Sequence, residues 1–313
     1  TYDHVGRLLT QTNNINGAAT SEVIVSNLYD ELGQLESKGV GGKTTGTRLQ
    51  TVDFTYNVRG WLTNINNDTN NDNDLFNFGL KYNNPTSGVA LFNGNISQTS
   101  WSSLNTDSST KNYTYTYDAL NRITSGVDNT GNYNLDLVTY DKNGNIELLK
   151  RKGHTNSGAT FFGIMDDLDY DYNGNKLTKV TDSGNTTYGF KDGVNTSTEY
   201  TYDANGNMIS DANKGITSIT YNHLNLPTSI SFIDDSTINY TYDASGIKQS
   251  KFVVNETTGQ ETLTHYAGNY IYENNTLQFF NHAEGYTKNN SGTFSNVYQY
   301  RDHLGNIRLS YTD

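Results

Sequence analysis

The chain has 313 residues, a net charge of −12, 33% hydrophobic residues, 24 tyrosines and no cysteine. An acidic chain without basic runs lacks the positive surface that nucleic-acid binding needs, and the missing cysteines exclude disulfides and thiolate metal sites. No stretch approaches the roughly 20 apolar residues of a membrane-spanning helix. The low hydrophobic fraction alone would suggest disorder, but 12% aromatic residues predict a folded β-protein with a thin, tyrosine-rich buried layer.

A short sequence motif recurs along the chain: tyrosine, Asp or Asn, two variable residues, glycine, a polar residue and an apolar residue. Four copies keep the full form, at Tyr2, Asp3 and Gly6; Tyr29, Asp30 and Gly33; Tyr140, Asp141 and Gly144; and Tyr202, Asp203 and Gly206. Five looser copies begin at Tyr56, Tyr117, Tyr170, Tyr221 and Tyr242. Repetition at a period of a few tens of residues indicates an array, and the uneven spacing favours hairpins of different length over a rigid solenoid.

One step is much longer than the others. Tyr56 and Tyr117 are 61 residues apart, whereas the other steps run from 19 to 32 residues. We expect that one copy in this interval has decayed or been replaced.

Each copy has the chemistry of a tight turn. An Asp or Asn side chain accepts a hydrogen bond from the backbone two residues on, and the variable residues occupy the centre of a type I turn. The glycine then stands where a positive φ is needed, as in a turn with a G1 bulge. Asn121 and Asn225 replace the glycine in two looser copies, and asparagine is the next best tolerated residue in that conformation.

The segments that flank the turns have the pattern of β-strands. Tyrosine alternates with threonine or another polar residue in residues 112–117, 199–202 and 239–242. A period of two places the tyrosines on one face of a sheet, and both residue types favour strands. The sequence therefore predicts an all-β fold built as an antiparallel ribbon of β-hairpins. The Asn- and Asp-rich residues 64–73 are predicted to form an exposed loop.

The copies resemble the YD repeats of the Rhs/YD-repeat family, written as Tyr-Asp, two variable residues, Gly, Arg and an apolar residue. Residues 2–8 match every fixed position. Residues 300–308 resemble the start of the Rhs-associated core region, residues 266–273 are similar to what precedes it, and residues 91–97 resemble a feature of Bacteroidetes-type members. The core-like residues are Asp302, His303, Leu304, Gly305 and Arg308. The resemblance covers almost the whole chain and divides it into a YD-repeat β-shell over residues 1–260 and the start of the core region over residues 261–313.

The resemblance implies that the hairpin ribbon spirals into a hollow shell, which is partial in this chain. In the toxin members of the family the shell encloses a C-terminal toxin, and the core region ends in an aspartyl self-cleavage segment. We therefore expect a structural shell of a large secreted or cell-surface bacterial protein that encapsulates and delivers a C-terminal effector. The chain starts inside a repeat and is expected to be a piece of that protein, truncated before any cleavage segment or toxin domain.

The expected partners follow from the same resemblance. They are the protein's own C-terminal effector domain inside the shell and, in the full-length protein, a secretion machinery or an immunity protein. The alternative is a cell-surface adhesin or a carbohydrate-binding module whose ligands stack on rows of tyrosines. No nucleic acid, membrane span or cofactor is expected.

Two residues are weak candidates for chemistry. Asp302 and Arg308 could serve an aspartyl self-cleavage, with the arginine holding or polarising a carboxylate. The favoured interpretation is that Asp302 and Gly305 are ordinary turn residues and that Arg308 is a structural ion-pair partner. We therefore assign no catalytic residue and expect that the chain is not an enzyme, with at most self-cleavage in the full-length protein.

A metal site is also weakly indicated at best. Asp68, Asn70, Asp72 and Asp74 alternate as in the first half of a calcium loop, but Asn73 and Gly79 stand where a glycine and a glutamate are expected. The six histidines do not show a metal-ligand spacing such as HxxxH. A solvated loop is favoured, and no metal site is predicted.

Overall fold

The computed structural model describes residues 1–15, 21–66, 74–104 and 107–312, in which all regular structure is β. The first thirteen strands are β1 (Thr10–Asn13), β2 (Glu22–Tyr29), β3 (Leu35–Val40), β4 (Gln50–Tyr56), β5 (Leu62–Ile65), β6 (Phe76–Lys81), β7 (Gln98–Ser103), β8 (Lys111–Tyr117), β9 (Ile123–Asp128), β10 (Leu135–Tyr140), β11 (Ile146–His154), β12 (Phe162–Asn173) and β13 (Lys176–Asp182). The other twelve are β14 (Tyr200–Tyr202), β15 (Met208–Asp211), β16 (Ile216–Tyr221), β17 (Pro227–Phe232), β18 (Thr237–Tyr242), β19 (Lys248–Asn255), β20 (Gln260–Ala267), β21 (Tyr270–Glu273), β22 (Thr276–His282), β23 (Gly285–Asn290), β24 (Thr293–Arg301) and β25 (Ile307–Thr312). Within the described ranges no helix has the length and apolar character to cross a membrane.

The strands are hydrogen-bonded in chain order, from β1 to β13 in one sheet and from β14 to β25 in another. The pairs are antiparallel, as in β11 with β12 and β18 with β19. The predicted fold class, an all-β antiparallel ribbon of hairpins, is therefore confirmed. The predicted loop at residues 64–73 begins too early, because Ile65 belongs to β5 and Asn66 is buried; residues 67–73 lie outside the described ranges.

The chain divides into two compact units, one formed by Thr1–Thr114 with Leu277–Asp313 and the other by Tyr115–Thr276. The predicted boundary between residues 260 and 261 concerns a different property, the limit of the core-like region, and stays a prediction.

The core of the first unit lies between strands that are far apart in the sequence. Buried apolar residues of β2 to β6, among them Ile24 and Phe76, pack with Tyr298 and Tyr300 of β24. The rings of Phe76 and Tyr300 are 5.7 Å apart, and the Tyr300 hydroxyl donates a hydrogen bond of 2.8 Å to Gln50 Oε1. Each large apolar side chain buried here contributes roughly 1.5–3 kcal/mol.

Polar contacts at the rim of this core hold the C-terminal hairpins in place. Lys38 and Glu284 form a half-buried ion pair of 2.5 Å, and the Tyr298 hydroxyl donates to Glu22 Oε1 at 2.6 Å. His282 lies beside Tyr298, with ring centroids 5.5 Å apart, and burial lowers the pKa of its imidazole to about 4. The histidine is therefore neutral at physiological pH.

The second unit has a small core. Leu168, Val180 and Tyr200 are buried, and the half-buried residues packed against them include Tyr170 and Phe190. The buried layer is thin and rich in tyrosine. A layer of this kind is consistent with the low hydrophobic fraction of the chain.

Tyrosine hydroxyls join each hairpin to the one before it. In most repeats the hydroxyl donates to the carbonyl of the apolar residue that closes the preceding turn, as Tyr56 does to Leu35 at 3.0 Å. The other bonds of this type run from Tyr29 to Leu8, Tyr140 to Ile123, Tyr172 to Ile146, Tyr202 to Leu177, Tyr221 to Met208 and Tyr242 to Pro227.

Basic residues of one turn reinforce this connection. The Arg7 guanidinium lies 4.6 Å from the ring centroid of Tyr29, and Arg122 lies 4.4 Å from that of Tyr140. A cation over an aromatic face contributes about 0.5–1 kcal/mol at exposed sites. The polar position of the repeat thus also contacts the tyrosine of the next repeat.

The missing copy in the 61-residue interval is Tyr82. Its hydroxyl donates to the Leu62 carbonyl at 2.9 Å, which is the bond that the repeat predicts. Tyr82 is not followed by a tight turn of the repeat type. Instead, residues 83–97 form a longer connection without a strand, and β7 begins at Gln98. The tyrosine has been kept while its turn has been replaced.

Removing a single hydroxyl tests this connection. Tyr56→Phe keeps the ring but leaves the Leu35 carbonyl without its donor, so we expect the free energy of unfolding to fall by about 1 kcal/mol. Tyr2→Phe is the control, because the Tyr2 side chain in the same unit is 69% exposed. Urea unfolding followed by tyrosine fluorescence measures both variants; equal stabilities would contradict a structural role for the hydroxyl.

Candidate functional site

The repeat turn is organised around one carboxylate. Asp203 Oδ1 accepts hydrogen bonds from the backbone N–H groups of Asn205 at 2.9 Å and Asn207 at 2.8 Å. The Asp203 carbonyl accepts from Gly206 N at 3.2 Å, and Asp203 N donates to the Asn207 carbonyl at 2.9 Å. The hydrogen bond from the Asn207 side chain is the largest influence that lowers the pKa of Asp203. One side chain thus fixes both the entry and the exit of the turn.

The same arrangement recurs at the other copies. Backbone N–H groups two and four residues on donate to one side-chain oxygen of Asp3, Asn57, Asp118, Asp141, Asn222 and Asp243. Asp30 accepts in the same way from Gln34 N at 2.7 Å. Asparagine serves as well as aspartate because the backbone donors need only an oxygen acceptor.

The residue three positions after the Asp or Asn has a left-handed backbone. The φ values are 86° at Gly6, 83° at Gly33, 92° at Gly144 and 88° at Gly206. Asn121 and Asn225, which replace glycine, also have positive φ, of 62° and 57°. A β-bulge accompanies the turn, since the strand register shifts at the repeat tyrosine, for example between Thr201 and Tyr202.

The copy at Tyr170 differs from the prediction. Strand β12 continues to Asn173, Asp171 pairs with Lys179 inside the sheet, and Gly174 with Asn175 forms a two-residue loop. The bulge follows Asp171, so Tyr172 takes the place of the repeat tyrosine and bonds to Ile146. The sequence motif therefore predicted the correct hairpin but placed its repeat tyrosine two residues too early.

The core-like residues form a further turn of the same kind. Asp302 Oδ1 accepts from the N–H groups of Leu304 and Asn306, both at 2.9 Å. Gly305 N donates to the Asp302 carbonyl at 3.0 Å, and Gly305 has a φ of 82°. The register shifts between Tyr300 and Arg301, so Arg301 stands where the other repeats have tyrosine. The missing tyrosine explains why the sequence pattern did not group this turn with the repeats.

Arg308 adds an ion pair to this turn. Its Nε and Nη2 atoms lie 2.7 Å and 2.6 Å from Asp302 Oδ2, and the Asp302 side chain has no exposed surface. Burial raises the pKa of the carboxyl group, but hydrogen bonds from Asn306 and Arg308 outweigh it and hold the pKa below its usual value. Asp302 is therefore an ionised acceptor at neutral pH, with both oxygens occupied. This arrangement stabilises a turn, whereas a proton donor would need the neutral acid.

His303 and Leu304 project from this turn and line a cavity of about 660 Å³ with Trp61, Tyr82 and Ile96. The imidazole of His303 stacks on Phe78 at 5.6 Å, and burial lowers its pKa. The core-like run and the stretch at residues 91–97, which the sequence singled out separately, thus meet at one place in the first unit.

The candidate calcium loop falls mostly outside the described residues. Asp68, Asn70 and Asp72 lie in that part of the chain, and only Asp74 is described. Among the described residues no group of three or more His, Cys, Asp or Glu side chains could hold a metal ion.

Comparison with known proteins identifies the fold. No protein-family model and no curated protein matches the sequence. Solved structures match over the whole chain at 15% identity: the TcdB2-TccC3 complex with Cdc42 and TcdB2-TccC3 alone, each with a TM-score of 0.63, and the Photorhabdus luminescens Tc holotoxin pore with a TM-score of 0.62. In each case this chain covers 17% of the other chain. The likeness shows the fold, which is the Rhs-like fold that the YD copies imply.

The glycine of the turn can be tested with matched variants. Gly206 has open space around it, so in Gly206→Ala the positive φ alone should cost about 1 kcal/mol, whereas Gly206→Asn should cost less. Gly158→Ala is the control in the same unit, because Gly158 lacks a positive φ and a methyl group there would have its nearest neighbour 3.7 Å away. Chemical denaturation measures all three; if the two alanine variants lose the same stability, the left-handed backbone is not what the turn needs.

Asp302 can be tested as a turn residue by two replacements. Asp302→Ala leaves two backbone donors and the arginine unsatisfied and should lower the free energy of unfolding by about 2 kcal/mol. Asp302→Asn keeps an oxygen for the backbone donors, as Asn57 does in its own turn, and should lose less. Glu31→Ala, at an exposed turn position, is the control for a lost surface charge. The turn role is wrong if asparagine is as damaging as alanine in thermal melts.

Proposed function

We propose that this chain is a wall segment of a large bacterial Rhs/YD-repeat protein of Bacteroidetes type that encloses a C-terminal effector. The observation that carries the proposal is the series of hairpins that follow one another in chain order, many of them built on one turn geometry. The match to TcdB2-TccC3 supports it, because the whole chain aligns there with a stretch amounting to 17% of a longer chain.

In this proposal the role of the chain is structural. The buried turn residue Asp302 uses both carboxylate oxygens to hold Leu304, Asn306 and Arg308. The repeat tyrosines are likewise used in bonds between hairpins. Both kinds of side chain stabilise the β-structure. In this proposal any catalytic activity, including self-cleavage, therefore belongs to other parts of the full-length protein.

The proposed setting is extracellular or at the cell surface. The effector held by the wall is the main partner, and a secretion machinery and an immunity protein are further partners of the full-length protein. A surface adhesin built from the same ribbon is the alternative, in which ligands bind outside the wall.

Protection from proteolysis tests enclosure. The chain is expressed together with its natural downstream region, treated with a broad-specificity protease and examined by mass spectrometry. We expect the downstream fragment to survive with the repeat region and to be degraded after mild denaturation. The same downstream region expressed alone is the control and should be digested.

A downstream region that is digested while the repeat region stays intact would overturn enclosure. A downstream region that is folded, accessible and resistant by itself would favour the adhesin, and binding on a glycan array would then identify its ligand.

A further inference from the structure

One connection in the second unit departs from the hairpin pattern. Between β13 and β14, residues 183–199 form a long segment without a strand, where the neighbouring connections are short turns. Loops longer than about 12–15 residues without secondary structure are uncommon in compact domains and are usually functional. This segment, which we call the β13–β14 loop, is therefore a candidate for a role beyond connecting the two sheets.

Acidic side chains, one of them fully buried, fix the backbone of this loop. Asp166, which is 1% exposed, accepts a 2.6 Å hydrogen bond from Phe190 N and pairs with Arg151. Asp192 Oδ2, within the loop, accepts from Asp182 N at 3.0 Å. The loop is thus tied to the sheet at both of these points.

A second group of contacts fixes the end of the loop. Glu199, also 1% exposed, accepts from Val180 N at 3.0 Å and from Asn213 Nδ2 at 2.8 Å. Asn213 Oδ1 in turn accepts from Gly193 N and Val194 N, both at 3.1 Å. Burying carboxylates costs several kcal/mol each unless they are compensated, and a short turn between β13 and β14 would avoid that cost.

The result of this arrangement is a cavity of about 830 Å³ whose wall includes Gly189, Phe190 and Lys191. A methyl group on Gly189 would come within 2.3 Å of Asp166 Oδ1 and of the Met165 carbonyl, so only glycine fits there. The buried carboxylates therefore act by positioning one wall of a cavity of the size that holds small ligands.

The lining of the cavity defines the ligand that it can take. Tyr170, Phe190, Tyr200 and Phe232 form an aromatic surface able to hold a flat apolar group. The buried acid of the lining, Asp211, is already occupied: Lys214 N donates to its Oδ1 at 3.1 Å, and Lys214 Nζ lies 3.4 Å from its Oδ2.

Lys191 supplies the charge that remains available. The Lys191 side chain is exposed, and within the described ranges it has no ion-pair partner. We propose that this cavity binds a small amphipathic anion, with an aromatic body against the ring surface and a carboxylate or sulfonate at Lys191. The proposal does not depend on the shell function.

A pair of fluorescent probes that differ only in charge tests the proposal. Anilinonaphthalene sulfonate has the proposed shape and charge, and phenylnaphthylamine is its uncharged counterpart. We expect saturable binding of the sulfonate to the folded protein and about a tenfold loss of affinity in Lys191→Glu, with little change for the uncharged probe. Lys142→Glu, at an exposed turn position, controls for the change in net charge.

A second variant tests the location of the site. Met208→Trp places a larger side chain in the lining and should weaken binding of both probes, with folding checked by circular dichroism. If Lys191→Glu binds the sulfonate as tightly as Lys142→Glu does, or if the unaltered protein does not bind the sulfonate at all, the proposed site is wrong.

Discussion

The structure depends on a side-chain oxygen that takes the place of a backbone acceptor at the turns of the repeat. In the turn at Asp203 this oxygen accepts hydrogen bonds from the backbone N–H groups of Asn205 and Asn207, and Gly206 supplies the left-handed residue that returns the chain to the sheet. All the required contacts lie within five residues. The turn can therefore be repeated without regard to the length of the strands between copies, which vary from three residues in β14 to twelve in β12.

The bulge beside each turn gives the repeat its second property. It sets the tyrosine at the end of the strand so that its hydroxyl reaches the carbonyl at the exit of the preceding turn, as Tyr56 reaches Leu35. Arginines at the polar position, such as Arg7, then lie over the next tyrosine. The edge of the ribbon is thus stabilised by polar and cation–π contacts, and a protein with few aliphatic residues can keep its hairpins in register.

The sequence was sufficient for the features that are local. It predicted the all-β fold and placed turns at Asp3 and Asp203, because a turn of this type is specified by residues close together in the chain. It placed the tyrosine of one copy at Tyr170 instead of Tyr172, because both tyrosines fit the alternation and only the position of the bulge decides between them. The turn at Asp302 was not recognised as a copy of the repeat because Arg301 occupies the position of the repeat tyrosine.

Features that depend on distant contacts were not accessible from the sequence. The place of Tyr82 became clear only from its bond to Leu62, since the turn that should follow has been replaced. The β13–β14 loop is held by Asp166 and Glu199, whose donors lie in other segments, and no periodicity marks such residues. The interval between Tyr172 and Tyr202 lies within the ordinary range of the repeat spacing, so it did not mark the loop either.

The packing of β24 on β2 to β6 has a consequence for how the chain reaches its native state. Successive hairpins form from neighbouring residues and can assemble in the order of synthesis, each within microseconds. The apolar face that carries Ile24 and Phe76, however, meets Tyr298 and Tyr300 only after β24 has been synthesised. Until then these apolar side chains remain exposed, and such surfaces favour association between partly folded chains.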